Sequence, residues 1–258
     1  MNHLKKLVLL MLAITLVLHG TTTTSYAKEN TETSSANPST TQTQAFVHVK
    51  SKLNLREKPT TSSKSLDKFE KGTILTVYGE ADENGWYYVS HDNVYGYVKG
   101  DYLIFSDYPE YEMISAFSTT SKSSSTRDFN MSLAASNING MILEPGDTFD
   151  WFEVIGSANK TNGYKKATII SGGKYVQGYG GGVCQVSTTL YNLIYQIDII
   201  PDELHHHSLK SSYVPKGMDA TVAYKSKNFV FTNSTKSSIL IELYTAGGTV
   251  YGMLYNID

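Results

Sequence analysis

Residues 180–192 read Gly-Gly-Gly-Val-Cys-Gln-Val-Ser-Thr-Thr-Leu-Tyr-Asn and hold the only cysteine, Cys184, of this 258-residue chain. Apolar residues follow the cysteine at helical spacing: Val186, Leu190, Leu193, Ile194 and Ile197. This spacing predicts an amphipathic helix with Cys184 in its first turn. Unpaired N–H groups and the positive end of the helix dipole meet there, and both favour the thiolate, the nucleophilic form of cysteine.

The glycines before Cys184 predict a loop that substrate backbone can approach closely, because glycine has no Cβ. Backbone N–H groups in such a loop can bind an anion, and an oxyanion hole is therefore predicted from Gly181, Gly182, Val183 and Gln185. The alternative is that Cys184 only packs, since a lone cysteine is most often a small buried apolar residue.

Composition narrows the function classes. The chain has 22 basic and 24 acidic residues and a net charge of −2, so it has no strong attraction to nucleic acid. A single cysteine excludes an intramolecular disulfide, and no cofactor is predicted. The length allows one or two domains.

The first 27 residues have the pattern of a secretory signal peptide. Lys5 and Lys6 precede an apolar stretch over residues 7–18, and small residues at Ser25 and Ala27 suit a cleavage site. We expect a secreted, extracellular and cell-wall-associated protein without stable membrane insertion after cleavage; an uncleaved N-terminal anchor is the alternative. Residues 28–44 are rich in Ser and Thr and predict a disordered linker.

Residues 45–105 contain five short β-type stretches separated by turn residues, which predicts a small all-β barrel. Their motifs are Leu53-Asn54-Leu55-Arg56-x-x-Pro59, Lys71-Gly72, Gly85-Trp86-x-x-Val89, Gly96-Tyr97-Val98 and Tyr102-Leu103. This order resembles bacterial SH3 (SH3b) domains, and the resemblance implies a module that binds cell-wall peptides. Trp86 and Tyr88 are candidate ligand contacts, with packing in the barrel as the other interpretation.

Residues 106–258 predict a second, α+β domain with a mainly antiparallel sheet. A connection over 106–115 leads to a helix over 127–140 and short strands over 141–143, 148–152, 168–170 and 174–176. Four further strands are expected after the histidines, over 220–224, 229–232, 239–244 and 250–255.

Three consecutive histidines lie just over twenty positions beyond Cys184: His205, His206 and His207. A helix leading away and an extended return can bring one of them beside the thiol. A cysteine–histidine pair is the minimal unit for nucleophilic acyl transfer, and a carboxylate commonly orients the imidazole. Asp219 is the first candidate for that carboxylate, with Glu203 and Asp202 behind it. A zinc site built from Cys184, His205 and His207 is another possibility.

The second domain resembles the VanW family through these residues: Arg127-x-x-Asn130, Ile138-Asn139-Gly140, Pro145-Gly146-Asp147-x-Phe149, Gly156, Gly163-Tyr164, the 180–192 stretch, His207-Ser208, Tyr213-Val214-Pro215-x-Gly217-x-Asp219-Ala220-Thr221-Val222 and Asn233. The resemblance implies a cysteine L,D-transpeptidase acting on peptidoglycan stem peptides. It assigns Cys184 as the nucleophile and His207 as the base, because His207-Ser208 matches the family's His-Ser pair. His205 and His206 stand where the family usually has other residues.

Two hypotheses of different class follow. The first is an exported, cell-wall L,D-transpeptidase that forms 3→3 cross-links, or trims or exchanges stem peptides, with Arg127, Asn130 and Tyr213 binding substrate. The second is a non-catalytic protein that binds peptidoglycan or a glycopeptide, in which Cys184 only packs.

Overall fold

Seven antiparallel strands form the N-terminal β domain. They are β1 (Gln42–Val47), β2 (Leu53–Arg56), β3 (Ser65–Phe69), β4 (Ile74–Tyr78), β5 (Trp86–His91), β6 (Val94–Lys99) and β7 (Leu103–Phe105), and they pair in the order β3-β2-β6-β5-β4-β1-β7. Alternate residues of these strands point inward, as Leu75 and Val77 do in β4. This arrangement confirms the predicted SH3-like β domain. The computed structural model describes residues 41–258, so the predicted signal peptide and most of the predicted linker lie outside the described residues.

Two local features of this domain differ from the sequence prediction. Residues 42–44 belong to β1, where Gln42 pairs with Tyr78, and are not part of the linker. Strand β3 was not predicted, because four of its five residues are exposed and only Phe69 is buried. An edge strand of this kind has no alternating apolar pattern to recognise.

The C-terminal domain is α+β with antiparallel sheets, as predicted. Its elements are β8 (Glu112–Thr120), α1 (Ser125–Ile138), β9 (Met141–Leu143), β10 (Thr148–Asp150), α2 (Trp151–Val154), β11 (Lys166–Ser171), β12 (Lys174–Tyr179), α3 (Val183–Gln196), β13 (Val230–Thr232), β14 (Ile239–Ala246) and β15 (Thr249–Asn256). The main sheet has the order β8-β15-β14-β9, whereas β10 pairs with β13 and β11 with β12. Within residues 41–258, no helix is long and apolar enough to span a membrane.

Both faces of the main sheet are covered, which explains the continuous apolar sequence of β14. Ile239, Ile241 and Leu243 face the core that contains α1 and α3. Leu240, on the other face, joins a cluster with Phe46 of β1. The two domains therefore share a buried apolar cluster, and the described residues form one compact unit.

Polar contacts reinforce this junction. The backbone N–H of Met113 donates to Oε1 of Gln44 at 2.6 Å, and Nδ1 of His48 lies 3.0 Å from Oγ of Ser118. The connection predicted over residues 106–115 is shorter than expected. It ends where β8 begins, at Glu112, and β8 pairs along its length with β15.

Two predicted strands of the C-terminal domain are wrong in part or in full. The strand expected over 148–152 ends at Asp150, because Oδ1 of Asp150 accepts hydrogen bonds from the N–H groups of Phe152 and Glu153 and begins α2. No strand forms over 220–224. There, Ala220 bonds the side chains of α3 instead of a neighbouring strand.

A buried carboxyl group lies in the sheet on the side of the junction. Glu242 is 2% exposed, and the hydroxyl of Tyr255 donates to its Oε2. Burial, aided by the charge of nearby Asp107 and opposed by the Tyr255 hydrogen bond, raises the pKa of Glu242 to about 7. The folded protein therefore holds a proton that the unfolded chain releases near its ordinary carboxyl pKa.

This carboxyl group should make stability depend on pH. Between about pH 4.5 and pH 7 the folded state binds more protons than the unfolded state, so the free energy of unfolding falls as pH rises through this window. We expect Glu242→Gln to reduce that slope in urea denaturation at pH 5, 6 and 7. The exposed Glu144→Gln serves as control, and an equal slope in both variants would contradict the assignment.

Candidate active site

The glycines before Cys184 are required by packing against the protein itself. Gly182 is the N-cap of α3 and has a φ of +112°, in the left-handed region. A Cβ on Gly182 would lie 2.8 Å from Cγ of Met131, and a Cβ on Gly181 would lie 2.7 Å from the carbonyl oxygen of Thr168. The predicted open loop for substrate backbone is therefore wrong at these two positions, because α1 and β11 fill that space.

Asn130 fixes this loop from inside. Its Nδ2 donates to the carbonyl oxygens of Gly181 (3.0 Å) and Lys165 (2.9 Å), and its Oδ1 accepts from the N–H of Lys165 at 2.8 Å. Asn130 has no exposed surface, and both amide hydrogens are used. The prediction that Asn130 binds substrate is therefore not supported by its position, which makes it a structural residue.

Cys184, His207 and Asp219 are brought together. Asp219 Oδ2 accepts hydrogen bonds from the backbone N–H and from Nδ1 of His207, both at 2.7 Å. This leaves Nε2 of His207 available, and the Cys184 side chain lies close enough to interact electrostatically with the ring. The Sγ of Cys184 itself donates to the carbonyl oxygen of Val222 at 3.5 Å. The side chains of His207 and Asp219 are only 9% and 6% exposed, so their interaction is well shielded from water.

The surroundings favour the charged form of His207. Burial acts to lower its pKa, but the hydrogen bonds and charges of Cys184 and Asp219 outweigh burial, and the pKa of His207 is raised above its ordinary value. An imidazolium beside the sulfur is the proton state that supports a cysteine nucleophile.

The other two histidines have different partners. Nε2 of His205 donates to Oε1 of Glu203 at 2.8 Å, and Nδ1 of His206 donates to the carbonyl oxygen of Asp219 at 2.7 Å. The hydrogen bond from His205, with one from the N–H of Asn228, lowers the pKa of Glu203.

The other carboxylates considered as partners of His207, Glu203 and Asp202, bind other residues. The zinc site considered from Cys184, His205 and His207 is not formed among the described residues either. Glu203 is bonded to His205, and Oδ2 of Asp202 accepts from Oγ1 of Thr232 at 2.9 Å. Within residues 41–258, no three side chains of His, Cys, Asp or Glu are grouped to hold a metal ion.

Two of the four predicted oxyanion donors, Val183 and Gln185, already have acceptors within the protein. The N–H of Val183 donates to the carbonyl oxygen of Gly180 at 3.0 Å, and that of Gln185 donates to the carbonyl oxygen of Gly182 at 2.9 Å. These two groups are used in the turn that begins α3. The N–H of Cys184 has no acceptor among the described residues and lies in the same residue as the sulfur. It is the better candidate donor.

Gln185 and Arg127 form a second buried arrangement next to the loop. The fully buried Gln185 donates from Nε2 to the carbonyl oxygens of Thr119 and Gly248, both at 3.0 Å. Its Oε1 accepts from Nη2 of Arg127 at 2.8 Å, and Nε of Arg127 donates to Oγ of Ser121 at 3.1 Å. Arg127 forms no ion pair with a described carboxylate, so neutral groups hold its unpaired positive charge in place.

Tyr213 lies close enough to Cys184 and Arg127 for their charges to shift its pKa. Burial and the charge of Cys184 raise the pKa of the Tyr213 hydroxyl, and a hydrogen bond with Thr188 and the charge of Arg127 oppose that rise. The hydroxyl therefore stays protonated and can donate a hydrogen bond near the sulfur.

The two candidate contacts of the N-terminal domain fare differently. Trp86 is only 7% exposed, which contradicts its prediction as a ligand contact and favours the packing interpretation. Tyr88 is half-buried and lies in a surface group of tyrosines with Tyr78, Tyr95 and Tyr97, at ring-centroid distances of 5.9, 6.2 and 5.1 Å.

The polar residues of α3 that position Asp219 were not predicted from the sequence. Oγ of Ser187 donates to the carbonyl oxygen of Ala220 at 2.8 Å, and the N–H of Ala220 donates to Oγ1 of Thr188 at 3.0 Å. Nδ2 of Asn192 donates to the carbonyl oxygen of Met218 at 2.8 Å. These residues interrupt the apolar pattern at 187, 188 and 192, and the i, i+4 spacing of Thr188 and Asn192 was the available signal.

Removal of the Asn130 side chain should destabilise the protein. Asn130→Ala leaves the carbonyl oxygen of Gly181 without its donor in the interior, and we expect a loss of about 2–4 kcal/mol in the free energy of unfolding. Urea denaturation measures it, with Asn137→Ala on the exposed side of the same helix as the matched control. A loss equal to that of the control would argue against the anchoring role.

Alkylation of the single cysteine tests the state of the site. We expect iodoacetamide to label Cys184 rapidly near pH 7 in the folded protein, and His207→Ala to slow labelling about tenfold or more, because the neighbouring imidazolium is lost. Mass spectrometry follows the reaction at one site only. Labelling of the parent protein only after unfolding would show that the thiol is inert.

Comparison with known proteins places these features in a family context. Residues 126–255 match the model described as VanW like protein, and residues 51–104 match the model of a bacterial SH3 domain. The uncharacterized protein YoaR of Bacillus subtilis (strain 168) is 35% identical over 147 residues, which cover 57% of this chain and 48% of YoaR.

The vancomycin B-type resistance protein VanW of Enterococcus faecalis (strain ATCC 700802 / V583) is 32% identical over 100 residues, which cover 37% of this chain and 36% of that protein. The matched regions thus span about half or less of these curated relatives. The first matched region contains Cys184, His207 and Asp219 and takes in half of the chain, which therefore belongs to the VanW family.

Proposed function

We propose that this protein is an exported cysteine acyltransferase of the L,D-transpeptidase type, acting on peptidoglycan stem peptides at the cell wall. One observation carries the proposal: a lone cysteine at a helix N-terminus interacts with a histidine whose Nδ1 is held by a buried aspartate. A structural cysteine does not need this arrangement, whereas acyl transfer by a thiol does.

The first half-reaction forms a thioester. The Cys184 thiolate bonds to the carbonyl carbon of the scissile peptide, at the third residue of the stem. The carbon–nitrogen bond then breaks, and the leaving amine of the terminal D-alanine takes the proton held on Nε2 of His207. Asp219 keeps the ring oriented and stabilises its charged form throughout.

The second half-reaction restores the enzyme. A side-chain amine of a neighbouring stem attacks the thioester carbonyl, neutral His207 takes the proton of that amine, and the carbon–sulfur bond breaks to release the thiolate. The product is a 3→3 cross-link. Attack by water gives a trimmed stem, and attack by a free D-amino acid gives an exchanged one.

The surrounding groups have roles that suit this chemistry. The N–H of Cys184 can donate to the oxyanion, and a single such donor is typically worth about 10²–10³ in rate. Arg127 is fixed by Gln185 and Ser121 and has no carboxylate partner among the described residues, so it can bind a carboxylate of the donor stem. Tyr213 can donate a hydrogen bond to substrate beside the sulfur.

The cell-wall setting is supported by sequence and by the relatives. The pattern of residues 1–27 favours export, and the bacterial SH3 domain favours binding to wall peptides. The printed name of the related protein of Enterococcus faecalis refers to vancomycin resistance. A wall-bound domain fused to the site raises the local concentration of stem peptides.

Muropeptide analysis tests the proposal. The chain without residues 1–27 is incubated with purified muropeptides, with Cys184→Ala as the matched control. We expect new 3→3 dimers, or stems with D-alanine released, only with the intact thiol. Asp219→Asn should lower the rate about 10³-fold or more, because the imidazole loses its orienting partner.

The result also separates the two classes of function. If neither protein changes the muropeptides while both bind intact cell walls equally, the acyltransferase proposal fails and the non-catalytic binding protein takes its place.

A further inference from the structure

A small pocket opens beside the histidine of the site. It has a volume of about 220 Å³, and its walls include His207, Asp219, Leu209, Lys210, Lys216 and Gly217. Pockets for drug-sized ligands measure about 300–1,000 Å³, so this one suits a single small residue better than a peptide segment.

The pocket carries unpaired positive charge. Lys210 and Lys216 are exposed, and neither forms an ion pair with a described carboxylate. Asp219 supplies the carboxylate in the described lining, and its Oδ2 is already engaged by the N–H and Nδ1 of His207. An anion that enters the pocket therefore lies beside two lysines that have no carboxylate partner among the described residues.

The turn that carries Lys216, from Pro215 to Met218, is fixed by hydrogen bonds. The N–H of Met218 donates to the carbonyl oxygen of Pro215 at 3.1 Å, and Gly217 has a φ of +89°, the left-handed value that the third position of a type II turn requires. Nδ2 of Asn192 binds the next carbonyl oxygen, that of Met218, and so ties the turn to α3. A Cβ on Gly217 would meet no atom within 4 Å, which leaves its backbone open to a ligand.

We propose that this pocket is the leaving-group subsite and that Lys210 and Lys216 bind the free α-carboxylate of the C-terminal residue of the donor stem. The proposal rests on the function proposed above. His207 must give its proton to the leaving amine, so the residue that carries this amine lies next to His207, which lines the pocket. A cationic acceptor amine is disfavoured there by the two lysines.

A pair of matched substrates tests the subsite. One is an acylated stem tetrapeptide with a free C-terminal carboxylate, and the other is the same peptide with a C-terminal amide. We expect the protein to prefer the free acid about tenfold or more in kcat/KM, through KM. The double variant Lys210→Met, Lys216→Met should remove this preference by raising KM for the acid and leaving the amide unchanged. An undiminished preference in the double variant overturns the proposal.

Lys236→Met, an exposed lysine outside the pocket, is the control and should keep the preference. The alkylation rate of Cys184 should be similar in all these proteins, which confirms that the substitutions leave the site folded.

Peptide binding to a variant without the thiol tests the carboxylate subsite independently of the proposed acyl transfer. Calorimetry with the same two peptides is performed on Cys184→Ala, with and without the two lysine substitutions. Turnover by the parent protein without preference for the acid overturns the subsite and retains the acyltransferase. A lysine-dependent preference in binding without any turnover retains the subsite and overturns the reaction, and the absence of both overturns both.

Discussion

The geometry of the site depends on the hydrogen bonds between the polar side of α3 and the segment 218–220. Ser187 and Thr188 bind both backbone groups of Ala220, and Asn192 binds the carbonyl oxygen of Met218. The two contacts to Ala220 are buried and the contact to Met218 is partly buried, so loss of a partner leaves a polar group unsatisfied in the interior. They fix Asp219, and Asp219 in turn fixes His207 through two hydrogen bonds. Cys184 belongs to the same helix, so α3 positions both the sulfur and, through these hydrogen bonds, Asp219.

The approach to that helix is constrained as strongly. Gly181 and Gly182 pack where no side chain fits, and Asn130 satisfies the carbonyl oxygen of Gly181 from α1. Gln185 anchors the opposite side of the first turn to Thr119 and Gly248 and also holds Arg127. The residues around the cysteine therefore divide into a buried frame and a smaller set that can meet a ligand: the sulfur, its own N–H, His207, Tyr213 and Arg127.

Much of this could be predicted from the sequence because the strongest signals are local. The apolar spacing after Cys184 predicts α3, and turn residues delimit most strands of the N-terminal domain. The selection of Cys184, His207 and Asp219 as partners is matched by their contacts, although their catalytic roles remain proposals.

What could not be predicted depends on tertiary contacts. Strand β3 has only one buried residue, and residues 220–224 read as a strand but bond to a helix. The side-chain amide of Asn130 was predicted to bind substrate, and it is consumed by backbone groups of distant segments, as is the side-chain amide of Gln185. Sequence alone cannot show which acceptor a buried amide will find.

The apolar cluster between the two domains has a consequence for how such proteins can be recombined. Phe46 of the N-terminal domain and Leu240, Met253 and Tyr255 of the main sheet are buried against a common interior. A foreign N-terminal domain, placed before residue 106, would leave that side of the sheet exposed to solvent unless it brought a complementary apolar surface. The SH3-like and cysteine-bearing domains of this chain therefore cannot be exchanged independently, and a change on one side of their boundary has to be matched on the other.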